Sequence, residues 1–112
     1  MPRNKHQSTH RAIVLGILSR HVGRGSGISM RNLEQQTDLL PRLIRRHISD
    51  LRDDGHAICG TPRDGYFIAQ TPEELKATCE FLRSRAMHSL VLEAKLMKIP
   101  MVDLLGQLTL PT

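Results

Sequence analysis

Aromatic side chains are scarce in this 112-residue chain, which has no tryptophan, one tyrosine and two phenylalanines. A core must therefore be aliphatic, and an aromatic-walled cofactor pocket or a base-stacking platform for single strands lacks its usual material. Cysteine is nearly as rare. Cys59 and Cys79 have no CxxC spacing and make no disulfide framework, so both are read as reduced structural residues, each packing as a small hydrophobe. No run approaches the roughly 20 apolar residues of a membrane span, and the opening MPRNKHQSTH lacks the apolar centre of a signal peptide. The expectation is a cytoplasmic protein without a membrane partner. Catalytic signatures are missing too: no Ser–His–Asp set, P-loop or paired carboxylates stand out, and no enzyme activity is expected.

Six histidines raise the question of metal. His6 and His10 have the spacing of zinc ligands on a helix, but His6 precedes the expected start of the first helix. No nearby carboxylate or cysteine completes a site. Neither metal nor cofactor is expected. His47, between Leu43 and Leu51 in the chain, is read as a half-buried packing residue.

Positive charge is present, and it is unevenly placed. The net charge is +5; residues 1–56 hold ten Lys and Arg against five Asp and Glu, and residues 57–112 hold six against six. All the excess lies in the first half. That is the pattern of a polyanion-binding module joined to a neutral element with another task.

Local signals divide the chain. Residues 1–8 read as a flexible basic arm. Ser8 or Thr9 is the expected cap of a first helix reaching about Val22, with Ile13, Ile17 and Leu18 at helical spacing. Three glycines in Gly23-Arg24-Gly25-Ser26-Gly27 end it. Ser29 is the expected cap of a short second helix over about 30–36, with Leu33 pointing inward. After a turn at Thr37-Asp38-Leu39, Pro41 opens a third helix that runs to about Asp54 and stops at Gly55. The β-prone runs Ala57-Ile58-Cys59 and Tyr66-Phe67-Ile68 flank Thr61-Pro62-Arg63-Asp64-Gly65, which reads as a hairpin. Thr71, Pro72 and Glu74 form a capping box that starts a helix reaching about Lys98. The expected class is mainly α with a small β-hairpin (α+β). The order helix, helix, turn, helix, hairpin is that of a winged helix-turn-helix over residues 9–70, followed by a long helix over 71–98 and an apolar tail over 99–112.

The stretch DLLPRLIRRHISDLRDDG (Asp38–Gly55) followed by RDGYFI (Arg63–Ile68) resembles the N-terminal DNA-binding domain of biotin operon repressors and related winged-helix regulators. The shared features are an Ile-x-x-His-Ile-x-x-Leu-Arg helix ended by Gly, and a wing leading into Gly-Tyr. The resemblance covers roughly residues 9–70. Nothing like a biotin ligase domain follows, so it implies DNA binding alone. The helix from Pro72 looks like the added helix with which many small winged-helix proteins dimerise, and small phage-encoded regulators have a similar layout.

The residues support that reading independently. In the third helix Ile44, Ile48 and Leu51 share one face, while Arg42, Arg46 and Ser49 share the other, flanked by Arg45 and Asp53. An aliphatic stripe backed by arginines suits a helix lying in the major groove, where Arg contacts guanine or phosphate. Arg63 at the hairpin tip is placed to reach a neighbouring backbone. Arg31 and Asn32 open the second helix, whose amides can meet a phosphate, although Asn32 has an alternative role as capping partner of Ser29. Arg20 and Arg24 add positive field only. In the long helix Cys79, Leu82, Ala86, Leu90, Ala94 and Met97 recur every three or four residues as an oligomerisation seam, while Leu75 and Leu82 are expected to brace the core. The apolar tail is expected to dock on a partner subunit or another protein.

The expected function is sequence-specific binding of double-stranded DNA by a dimer or larger oligomer. It would be a transcription regulator or DNA organiser of a phage or mobile element, in the bacterial cytoplasm and nucleoid. The alternative is a protein-interaction module in which winged helix and long helix dock on a polymerase, replication or defence protein.

Overall fold

The computed structural model describes residues 5–107, with side chains from residue 8 onward. It is mainly helical with one two-stranded antiparallel sheet, the expected α+β class. In order come α1 (Lys5–Leu18), α2 (Met30–Thr37), α3 (Pro41–Asp53), β1 (Ile58–Thr61), β2 (Gly65–Ile68), α4 (Pro72–Met97) and α5 (Met101–Gln107), with a 3₁₀ turn at Arg24–Ser26. The chain forms two compact units, Met1–Thr78 and Cys79–Thr112, which divide inside α4. Among the described residues no helix is long and apolar enough to cross a membrane.

The first unit has the aliphatic core that the shortage of rings requires. Val14, Ile17 and Leu18 of α1 meet Leu33 of α2, and Ile44, Ile48 and Leu51 of α3, with Ile28 and Ile58. Ile13 and Val22, expected on the apolar face of α1, are exposed instead. The helix also begins earlier than expected. Residues 5–8, taken from sequence as part of a flexible arm, belong to α1, so Ser8 and Thr9 lie inside the helix rather than capping it, and His6 no longer precedes it; residues 1–4 lie outside the described residues. The reason is energetic: Lys5 to His10 contains no Gly or Pro, and interior Ser or Thr costs only a fraction of a kcal/mol. At its other end α1 stops at Leu18, short of Val22, because the following backbone joins the sheet. Ile68 N–H donates to His21 O at 2.7 Å, and Gly23 N–H donates to Ile68 O at 2.9 Å.

Caps fix the next two helices. Ser29 Oγ accepts the Asn32 N–H at 3.1 Å at the start of α2, which ends on Asp38 at φ +58°. Thr37 Oγ1 donates to Leu33 O and accepts the Leu39 N–H, tightening the three-residue turn into α3. Pro41 occupies the first turn of α3. Beyond its end Gly55 has φ +99°, with Gly55 N–H donating to Arg52 O and His56 N–H to Leu51 O, the paired bonds of a Schellman stop.

The hairpin pairs Ile58 with Ile68, Cys59 with Phe67, Gly60 with Tyr66 and Thr61 with Gly65. Ile28 adds a one-residue third strand: Ile28 N–H donates to Tyr66 O and Tyr66 N–H to Ile28 O, both at 2.8 Å. Two glycines permit this approach. A Cβ on Gly27 would lie 1.8 Å from Asp64 O, and one on Gly65 would lie 2.6 Å from Ile28 O.

The capping box at the start of α4 forms and extends further than its sequence signal. Thr71 Oγ1 accepts the Glu74 N–H at 3.2 Å. Glu74 Oε1 accepts from the N–H groups of Gln70 and Thr71, and Oε2 from Arg24 N–H at 2.7 Å. Glu74 thus ties the loop after α1 to the first turn of α4. The Arg24 N–H, then that of Gln70, holds its carboxyl below the ordinary glutamate value. A depressed folded-state value stabilises the protein above the unfolded value, and this contribution disappears as pH falls through the folded one. Wild type is accordingly expected to be more stable than Glu74→Gln at neutral pH. The gap between their denaturant midpoints should close on acidification below the ordinary glutamate range; a gap unchanged down to pH 3 would contradict the assignment.

α4 ends on Lys98 at φ +57°, with Lys98 N–H donating to Lys95 O and Ile99 N–H to Ala94 O. The expected apolar tail is partly a helix, α5, in which Leu104 is buried while Val102 and Leu105 are exposed. The rest of that tail, residues 108–112, lies outside the described residues.

Candidate nucleic-acid interface

At roughly 100° per residue, the thirteen residues of α3 separate into two faces. Ile44, His47, Ile48 and Leu51 are buried, whereas Arg42, Arg45, Arg46 and Ser49 are exposed within a roughly 100° arc. α1 and α2 both pack against α3, which leaves the arginine face outward. Ion pairs among the described residues are Arg11–Asp54 at 3.8 Å and Arg24–Asp64 at 3.7 Å. None of them engages Arg42, Arg45 or Arg46. The face ends in exposed Asp53, a carboxylate that limits the positive field to the first three turns.

Two contacts hold this helix from behind. Arg52 Nε donates to Ile58 O at 2.8 Å, pinning α3 to β1. This residue was missed in the sequence, where its only signal is a position at the edge of the buried face. His47 is buried more deeply than expected, at 3% exposure, and its ring meets that of His10 edge-on at 6.2 Å.

The other expected contact residues lie on neighbouring elements. Arg31 and Asn32 are exposed in the first turn of α2. The Asn32 N–H is committed to Ser29, so its backbone takes the capping role while its side chain remains at the surface. Arg63 is exposed at the hairpin tip. Beside it Asp64 is fixed by Thr61, whose Oγ1 accepts the Asp64 N–H at 3.1 Å, and by the Arg24 guanidinium. The structure thereby brings the Arg24 guanidinium to the hairpin turn, a placement not legible in the sequence.

The expected oligomerisation seam is not uniformly open. Cys79, Leu82, Ala86 and Met97 are exposed, Leu90 is half-buried, and Ala94 is only 5% exposed. Leu75 and Leu82, expected to brace the core, are exposed; Thr78 and half-buried Ala77 occupy the inward positions instead. Cys59 is buried, its Sγ 3.7 Å from Glu74 O. Cys79, expected on the oligomerisation seam, is exposed in the single chain. Among the described residues no three His, Cys, Asp or Glu side chains gather as a metal site. No known protein family, curated protein or solved structure matches the chain.

Proposed function

We propose that this protein binds double-stranded DNA sequence-specifically through a winged helix-turn-helix. In this reading α2, the turn at 38–40 and α3 form the reading unit, β1 and β2 form the wing, and Ile28 is the short third strand. The observation that carries it is the division of α3 into a buried aliphatic face and an exposed face of Arg42, Arg45, Arg46 and Ser49. Guanidinium groups so placed donate bidentately to guanine edges or clamp phosphates in the major groove. Arg63 and the first turn of α2, with Arg31 and Asn32, serve the flanking backbone. The second unit joins subunits, so the protein acts as a dimeric or oligomeric regulator or organiser of DNA.

Selection from a random duplex library, followed by titration of the winning site at several salt concentrations, tests this reading. Four or more phosphates neutralised per subunit should give a slope of log affinity against log salt of about −3.5 or steeper. Absence of duplex binding even at low salt would overturn it. That result would favour docking on another protein, a reading supported by the exposed Leu82, Leu92, Leu96, Val102 and Leu105 of the second unit.

A further inference from the structure

One face of α4 is entirely open in the single chain. Leu82, Arg85, Ala86, Ser89, Leu92, Glu93 and Leu96 are all exposed, and at roughly 100° per residue they fall within a roughly 120° arc. The three leucines are 43%, 51% and 75% exposed. Positions 82, 85, 89, 92 and 96 follow the alternating three-and-four spacing by which one helix seats against another. This stripe shares Leu82 and Ala86 with the seam expected from sequence but leaves aside Leu90 and Ala94, which the chain itself covers.

We propose that this face pairs with the same face of a second copy, antiparallel, about a two-fold axis at Ser89. The inference rests on the self-association part of the function proposed above and specifies its geometry. Its basis is a palindrome in residue character. Run backwards from Ser89, the face sets Leu82 opposite Leu96 of the second copy, Ala86 opposite Leu92, and Arg85 opposite Glu93. Apolar side chains meet apolar ones, and small Ala86 faces large Leu92. Small Ser89 meets itself at the axis, where two helices approach most closely.

The charges decide the orientation. A parallel pair in register would set Arg85 against Arg85 and Glu93 against Glu93, placing like charges in the seam. The antiparallel pair sets opposite charges together twice. Arg85 and Glu93 cannot satisfy each other within one helix, because eight residues separate them by roughly 12 Å along the axis. Neither has an oppositely charged residue three or four positions away: Arg85 has Phe81, Leu82, His88 and Ser89 there, and Glu93 has Ser89, Leu90, Leu96 and Met97. No ion pair among the described residues uses either. The Arg85 guanidinium sits 5.9 Å from the Phe81 ring centroid, at the edge of the stripe and beside the place Glu93 of the second copy would occupy.

Cross-linking of full-length protein in a Cys79→Ser background tests the pairing. Leu82→Cys and Leu96→Cys are made separately, then mixed and joined with a short bis-maleimide. The mixture is expected to give a dimer linked between positions 82 and 96. Neither variant alone should link, since like positions lie roughly 21 Å apart in the antiparallel pair. Arg85→Glu or Glu93→Arg should each weaken self-association about tenfold by sedimentation, and the double swap should restore it. Self-linking of Leu82→Cys, or a swap that does not restore assembly, overturns the antiparallel pairing while leaving a dimer in place. Wild type that stays monomeric at micromolar concentration overturns the pairing and self-association together.

Discussion

Replacing Arg42 and Arg46 together by alanine is expected to lower affinity for a selected duplex by at least about thirtyfold, or about 2 kcal/mol, with the fold unchanged. Both side chains stand on the exposed face of α3 and engage in no ion pair among the described residues. Their loss therefore removes no native contact that stability depends on, and circular dichroism and thermal midpoints should match wild type. The loss should be selective as well as large. A bidentate contact to a base edge contributes about 1–3 kcal/mol of discrimination, so the double variant should distinguish cognate from scrambled duplex poorly. Arg63→Ala at the hairpin tip should instead weaken both duplexes alike and flatten the salt dependence. Undiminished affinity and discrimination in the double variant would remove α3 from the interface.

The second large effect falls on the fold. Gly27→Ala is expected to cost about 3 kcal/mol or more, since its Cβ would stand 1.8 Å from the Asp64 carbonyl oxygen. That oxygen belongs to the backbone of the hairpin turn and cannot swing away as a flexible side chain would. Relief requires separating Ile28 from Tyr66, which breaks both of their hydrogen bonds. Gly16 is the control. It lies inside α1 with open space around its would-be Cβ, so Gly16→Ala should stabilise by about 0.5–1 kcal/mol through the entropy of the unfolded chain. Urea midpoints that shift little for Gly27→Ala would show that the hairpin does not depend on this approach.

What could be read from the sequence was whatever is signalled within a few residues. The division of α3 into faces, the Gly55 stop, the hairpin around Pro62-Arg63-Asp64 and the Thr71/Glu74 box each depend on neighbours three or four positions apart. What stayed hidden depends on partners far along the chain. Ile28 is a strand of one residue, and one residue has no periodicity. The Arg24 amide on Glu74 and the Arg24–Asp64 pair join positions 50 and 40 apart. α1 misled for the opposite reason: two residues with strong capping preference stand where the helix simply runs on. In α4 apolar residues line more than one face, and periodicity alone favoured a seam through Leu90 and Ala94. Within one chain Ala94 is buried and Leu90 half-buried, whereas the stripe through Ser89 is exposed throughout.

The bond pair between Ile28 and Tyr66 also governs how α3 opens. These residues are 38 positions apart, and the whole of α2 and α3 lies between them. Closing a loop of that length carries a large entropic cost, but the cost grows only logarithmically with length and is met once for everything inside. α3 is anchored at the far side too, through Arg52 on β1. Closure of the sheet favours both helices by shortening the free loop between its ends, and the sheet gains little from remaining shut once they have gone. The arginine surface, its turn and the hairpin are therefore expected to melt and re-form as one cooperative block, with a shared free energy of opening rather than a graded series of local ones.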